Sequence, residues 1–198
     1  VPDQPLRPSS VRKRAAILDA ARERFLADGY DRTSVDAVAA AAGVSKRTVY
    51  DHFTDKDGLC RAVFQTAATT LLDTVRRAAG EELRVDRDLR EGALAFARRI
   101  ATGTFRSSDY AVVRTLMDHG DLTGVSPDLA GEPERILASQ LSVLAEAGLV
   151  RQGKAQRTAE HFGALTFMLA LNQPHLEESA MDEIFVDGVD AFVRAYGQ

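Results

Sequence analysis

The sequence predicts an all-α protein of about nine helices, short ones first and longer ones after. Three observations carry that prediction. Ala, Leu, Arg and Glu, all good helix formers, are abundant, and long alternating runs of β-branched and aromatic residues are missing. Apolar residues recur at helical spacing, as in Ile17, Ala21 and Phe25. Breaks between such stretches hold Gly, Pro, Ser or Asp, as at Gly148, Gly153 and Pro174.

Residues 1–10, VPDQPLRPSS, are polar and Pro-rich and read as a flexible arm. Ser9 or Ser10 can cap a first helix from about Val11 to Asp28, with Gly29 as its stop. After the turn Tyr30-Asp31-Arg32, Ser34 caps a short helix from Val35 to Ala42, with Val35, Val38 and Ala39 turned inward. Gly43 can supply the positive φ of the next turn, and Ser45 caps a third helix ending near Phe53. Asp55 caps a fourth from Lys56 to Ala79, which Gly80 is expected to end. Its apolar stripe is Leu59, Val63, Ala67, Leu71, Thr74 and Ala78. Further helices are expected over about Asp88–Thr104, Asp109–His119, Asp128–Ala147, Ala155–Leu171 and Met181–Tyr196.

With 198 residues, 45% apolar and 27% charged, the chain can bury a core and has an ordinary soluble composition. The net charge of −4 is unevenly placed. Residues 1–56 carry ten Lys or Arg against eight Asp or Glu, whereas the remainder is acidic. A mildly basic head on an acidic body suits a nucleic-acid reader with a separate second domain. Cys60 is the only cysteine, which excludes an intrachain disulfide. No run reaches the ~18–20 apolar residues of a membrane span, and the first residues lack a signal peptide's apolar stretch. A cytoplasmic location is expected.

The informative segment is Thr33 to Lys56, TSVDAVAAAAGVSKRTVYDHFTDK. It reads as two short helices around a Gly turn, with Ala39 and Ala40 small enough for close crossing. On a helical wheel, Val49 and Phe53 of the third helix point to the core, and Arg47 and Asp51 point almost opposite, with Thr48 beside them. Tyr50 and His52 occupy the two flanks. A helix in a DNA major groove needs this division: outward residues meet base edges and flanks meet phosphates. Arg47 has the fork that suits guanine O6 and N7. Thr33 and Ser34 stand at the N-terminus of the second helix, where free amides favour an anion. Lys56 opens the fourth helix, a position where a cation opposes the helix dipole and a phosphate partner would explain it. Arg12, Lys13 and Arg14 can extend the footprint along the backbone.

The run Gly-Val-Ser-Lys-Arg-Thr-Val-Tyr-Asp-His-Phe followed by Thr-Asp-Lys-Asp-Gly-Leu is similar to the signature of the TetR family of bacterial transcriptional regulators, as is the upstream Gly-Tyr-Asp-Arg-Thr-Ser-Val-Asp-Ala-Val-Ala. The resemblance covers about residues 11–64. It implies a helix-turn-helix DNA-binding domain at 11–55 and a ligand-binding and dimerisation domain at 56–198. It further implies a homodimer on a near-palindromic operator, usually a repressor that a small molecule releases. Carried over by position, phosphate contacts fall on Ser34, Ser45, Tyr50, His52 and Lys56, and base reading on Lys46, Arg47, Thr48 and Asp51. Arg47 stands where many relatives have a small residue. Asp51 can either accept from a cytosine amino group or pair with Arg47 one turn away.

In the larger half, residues 162–171 are apolar nearly all round, so that helix needs cover on more than one side. The resemblance implies that it and the last helix form the dimer interface, with Phe162, Leu165, Leu169, Phe185, Val189, Phe192 and Tyr196 as candidates. Phe64, Phe96, Ile100, Phe105, Leu116, Met117, Phe167 and Met168 are candidates for the wall of a cavity for an apolar effector. Asp118-His119-Gly120-Asp121 fits a helix end better than a metal site, and His161 and His175 stand alone. Cys60 reads as a small buried hydrophobe. No cofactor is expected. No nucleophile elbow, zincin or P-loop motif is present, which argues against an enzyme. A helical adaptor binding protein through the same surface is the alternative. It would be indifferent to salt, whereas a DNA reader weakens by ~0.9 log units per phosphate contact per log of salt.

Overall fold

The computed structural model of the chain describes residues 8–118, 131–172 and 177–198. Its helices are α1 (Pro8–Arg32), α2 (Val35–Ala41), α3 (Lys46–His52), α4 (Lys56–Glu82) and α5 (Leu89–Ile100), the last running on into a π-helical turn, Ala101–Phe105. Then come α6 (Ser108–Asp118), α7 (Glu132–Glu146), α8 and α9 (Glu178–Tyr196). Helix α8 opens as Ala155–Gly163, widens into a second π-helical turn, Ala164–Met168, and closes as Leu169–Leu171. Among the described residues there is no strand, only an antiparallel bridge between Val150 and Gly197.

The expected starts and stops recur with local differences. Gly29 leaves the helical region at φ 77° and kinks α1 before Arg32. Helix α1 begins at Pro8, so Ser9 and Ser10 lie within its first turn and do not precede it. Gly80 does not end α4. The helix continues to Glu82, whose carboxylate accepts from Arg99 at 2.9 Å and from Arg87, and the following Leu83 is buried. Burying a leucine contributes ~1.5–3 kcal/mol, more than the ~1 kcal/mol that glycine costs inside a helix. Gln140 of α7 donates to the Leu83 carbonyl at 2.6 Å and closes that end. The arm over residues 1–7, His119, Asp121, the start of the expected helix at 128–130, Pro174 and His175 lie outside the described residues.

The contacts divide the chain into two compact units, one built on α1–α3, the first part of α4 and α6, the other on the rest of α4, α5 and α7–α9. In the first, Ile17, Ala21 and Phe25 of α1 are fully buried with Val38, Val49, Leu59 and Val112. Arg22 of α1 donates to the Ser108 hydroxyl and pairs with Asp109 at 2.9 Å, tying α1 to the start of α6. In the second, Phe162 meets Phe192 edge-on with ring centres 5.1 Å apart. Arg98 makes a two-pronged pair with Asp182 at 2.6 and 2.7 Å, fastening α5 to α9. Helices α8 and α9 touch backbone to backbone at Gly188: a Cβ there would sit 2.1 Å from the Leu165 carbonyl oxygen.

Candidate nucleic-acid interface

The geometry around α3 starts from its caps. Ser34 accepts from the Ala37 amide at 3.1 Å and Ser45 from the Thr48 amide at 3.1 Å, satisfying free donors at the start of α2 and α3. Between them Gly43 adopts φ 65°, a left-handed conformation that an L side chain rarely takes. These three devices set the angle of α3. Its inner face is then fixed by Val49, 1% exposed, and by Phe53 just beyond its end, 5% exposed.

The opposite face is open. Lys46, Arg47, Tyr50 and Asp51 are exposed, and Thr48 and His52 are half-buried. Thr48 shares a hydrogen bond with Ser45 at 2.8 Å, and the His52 ring leans on Phe53. Within the described residues Arg47 and Asp51 form no ion pair, so the intrahelical option for Asp51 is not taken in the chain by itself. Lys46 is engaged: its ammonium pairs with Asp36 of α2 at 2.8 Å, which raises its pKa through the hydrogen bond and the adjacent charge. Sequence reading missed Asp36, because a partner ten residues away on another helix leaves no periodic trace.

Thr33 requires a correction. It is 3% exposed, and its hydroxyl bonds to the carbonyls of Gly29 at 2.7 Å and Arg24 at 3.2 Å, so it seals the end of α1 and faces no anion. Carbonyls at a helix end need donors, and Thr33 supplies one. Thr33→Val is therefore expected to cost ~1–3 kcal/mol of stability in chemical denaturation. The same variant should keep the salt dependence of duplex binding; a shallower dependence at full stability would return Thr33 to the phosphate set.

Two cations flank α3 on aromatic faces. The Arg14 guanidinium lies 5.1 Å from the Phe53 ring centre, and the Lys56 ammonium 4.1 Å from that of Tyr30. Lys56 also reaches the Asp31 carbonyl at 3.4 Å. Asp55 caps α4 through the Gly58 amide at 2.6 Å. Cys60, on the same helix, is buried, and desolvation pushes its thiol up to about 11, so it stays protonated and unreactive at neutral pH.

The candidate residues of the second unit divide differently. Phe96, Phe105 and Phe167 gather in one aromatic cluster, Phe167 lying 5.5 Å from Phe105 and 6.2 Å from Phe96, with Ile100 in the same core. Phe64 and Leu116 are core residues of the first unit, and Met117 and Met168 are 53% and 55% exposed. The eight candidates thus divide between the two units. A cleft of about 170 Å³ beside α7 and α8, bordered by Ser142, Glu146, Arg151 and Thr158, contains none of them. Of the expected interface residues, Phe162, Phe185, Val189 and Phe192 are no more than 2% exposed in their own chain and cannot cover a partner. Leu165 and Tyr196 are half-buried, and Leu169 is 51% exposed; only these three retain surface. Among the described residues no His, Cys, Asp or Glu cluster suits a metal, and no helix is long and apolar enough to cross a membrane.

The chain is similar in fold to the crystal structure of a Mesorhizobium loti protein assigned to the TetR family of transcriptional regulators, with a TM-score of 0.87, 25% identity and 97% of this chain and 100% of that one covered. Residues 17–63, which contain α2, α3 and the start of α4, match the model of the bacterial regulatory proteins of the TetR family. The helix-turn-helix segment of the chain thus matches the TetR family, and the fold is that of a TetR-family regulator. By these matches the chain is a DNA-binding transcriptional regulator and not an enzyme. It is 41% identical over 66 residues to the transcriptional activator FasR of Mycolicibacterium smegmatis, covering 33% of this chain and 30% of that protein. It is 39% identical over 61 residues to the DNA-binding transcriptional repressor TetR of Mycobacteroides abscessus, covering 31% and 32%. Each of these two matches is confined to about a third of the relative's length. TetR-family regulators bind DNA and small-molecule ligands and act as dimers.

Proposed function

We propose that the chain is a cytoplasmic, ligand-responsive repressor that binds a near-palindromic operator as a homodimer and leaves it when a small apolar effector enters the body. The observation that carries the reading is the two-faced α3, with Val49 and Phe53 buried and Arg47, Tyr50 and Asp51 exposed on the other side. A helix so divided can lie in a major groove, base edges before Arg47 and phosphates beside Tyr50, Ser34, Ser45, His52 and Lys56. Two-fold DNA symmetry calls for a two-fold protein, and the exposed Met168 and Leu169 of α8 supply an apolar patch for pairing. The aromatic cluster of Phe96, Phe105 and Phe167 suits an apolar effector better than a charged one.

Selection of bound fragments from random duplexes tests the reading and returns the operator. Arg47→Ala, put through the same selection, should flatten preference at one base position per half-site, worth ~1–3 kcal/mol. Tyr50→Phe should weaken all sequences alike, because it removes a phosphate contact. An unchanged preference in Arg47→Ala would overturn the base-face assignment. Duplex affinity that ignores salt would favour a protein-binding adaptor instead.

A further inference from the structure

Lys46 and Lys56 stand at the N-termini of successive helices, yet their surroundings differ. Lys46 is matched by a carboxylate, Asp36, at 2.8 Å. Lys56 has carboxylates as near in sequence, but these are engaged elsewhere. Asp55 holds the Gly58 amide at 2.6 Å and faces Arg61 at 4.0 Å. Asp57 accepts the hydroxyl hydrogen bond of Tyr30. The Lys56 ammonium rests instead on neutral groups, the Tyr30 ring at 4.1 Å and the Asp31 carbonyl at 3.4 Å. The ring is in turn stacked on Phe25, which is fully buried. Burial and the Asp57 hydrogen bond push the Tyr30 hydroxyl well above its ordinary value, so it stays a donor at any physiological pH.

A π face and a carbonyl attract an ammonium without cancelling its charge. An ammonium has three donors, so hydrogen-bonding capacity is left for a phosphate oxygen. We propose that Tyr30 is a positioning residue for DNA binding: its ring seats the Lys56 ammonium while its hydroxyl engages the Asp57 carboxylate, so that Lys56 meets the phosphate backbone in place and outside any ion pair. This rests on the reading of Lys56 as a phosphate contact. It assigns Tyr30 and Asp57 functions that neither performs by touching DNA, and it explains why a lysine flanked by two aspartates can serve an anion.

The test is the slope of log affinity against log salt for the full-length protein on a duplex of mixed sequence. Lys56→Gln should lower the slope by about 0.9 per subunit. Tyr30→Phe keeps the ring but frees Asp57 to pair with Lys56, and should lower the slope in the same direction with little change in melting temperature. Adding Asp57→Asn to Tyr30→Phe should restore it, an outcome that a merely structural tyrosine would not give. Tyr30→Leu removes seat and hydroxyl together, and combining it with Lys56→Gln should lower the slope no further than Lys56→Gln alone. Additive losses in that pair, or failure of Asp57→Asn to restore the slope, would overturn the proposal. An unchanged slope in Lys56→Gln would remove the phosphate reading of Lys56 and this proposal with it. Salt-independent binding by the unmodified protein would instead remove the DNA-binding model as a whole.

Discussion

Replacing Gly188 by alanine is expected to destabilise the chain by about 3 kcal/mol, the upper end for overpacking a core. The added methyl would lie 2.1 Å from the Leu165 carbonyl oxygen, 2.8 Å from its carbon and 3.1 Å from Thr166 Cγ2. The first two are backbone atoms and have no rotamer by which to move away. Helices α8 and α9 would have to separate, and Phe162, Phe185 and Phe192, packed between them and α5, would separate with them. For a chain of this size the loss corresponds to a melting temperature lower by roughly 6–12 °C. Calorimetry checks the value. A shift below one or two degrees would show that the helices slide past each other at little cost, and that the close approach does not hold them.

Leu169→Asp is expected to act on assembly and to leave the fold intact. Leu169 is 51% exposed in the isolated chain and adjoins Met168 at 55%, while Ala170, next in sequence, is buried. A carboxylate placed there remains hydrated in the monomer but would be desolvated and doubled across a two-fold interface, where like charges repel. Sedimentation should then report a monomer with normal helical content. Because each half-site would bind alone, operator affinity should fall by on the order of a hundredfold or more. A variant that stays dimeric would move the pairing surface off this part of α8. One that becomes monomeric and still binds the operator fully would separate dimerisation from DNA recognition.

What the sequence made legible was whatever local chemistry determines. The spacing of Ile17, Ala21 and Phe25, the serines before α2 and α3, and Gly29 and Gly43 each act within a few residues, and their elements lie where the pattern indicates. The inner and outer faces of α3 follow from the same arithmetic. What was hidden depends on partners distant in sequence. Thr33 resembled an anion contact because nothing nearby reveals that the carbonyls of Arg24 and Gly29 lack a donor. Asp36 and Tyr30 were invisible as neighbours of Lys46 and Lys56 for the same reason. Four of the seven expected interface residues proved internal because a helix apolar all round does not declare which side its own chain takes. Gly80 failed as a stop because the next turn is held by Arg87, Arg99 and Gln140.

The π-helical turn at Ala164–Met168 has a consequence for lineage as well as shape. Such a turn is equivalent to an ordinary helix that has gained one residue, accommodated as a bulge rather than a break. Each residue advances the helix by about 100°, so everything beyond the bulge is rotated relative to the turns before it. Met168 and Leu169, both exposed, lie at the end of that bulge and just beyond it. Deleting one position within the bulge would re-phase the end of α8 and present a different set of side chains to any mate. An insertion of one codon is therefore expected to change which side chains the end of such a helix turns outward and which, like Ala170, it buries.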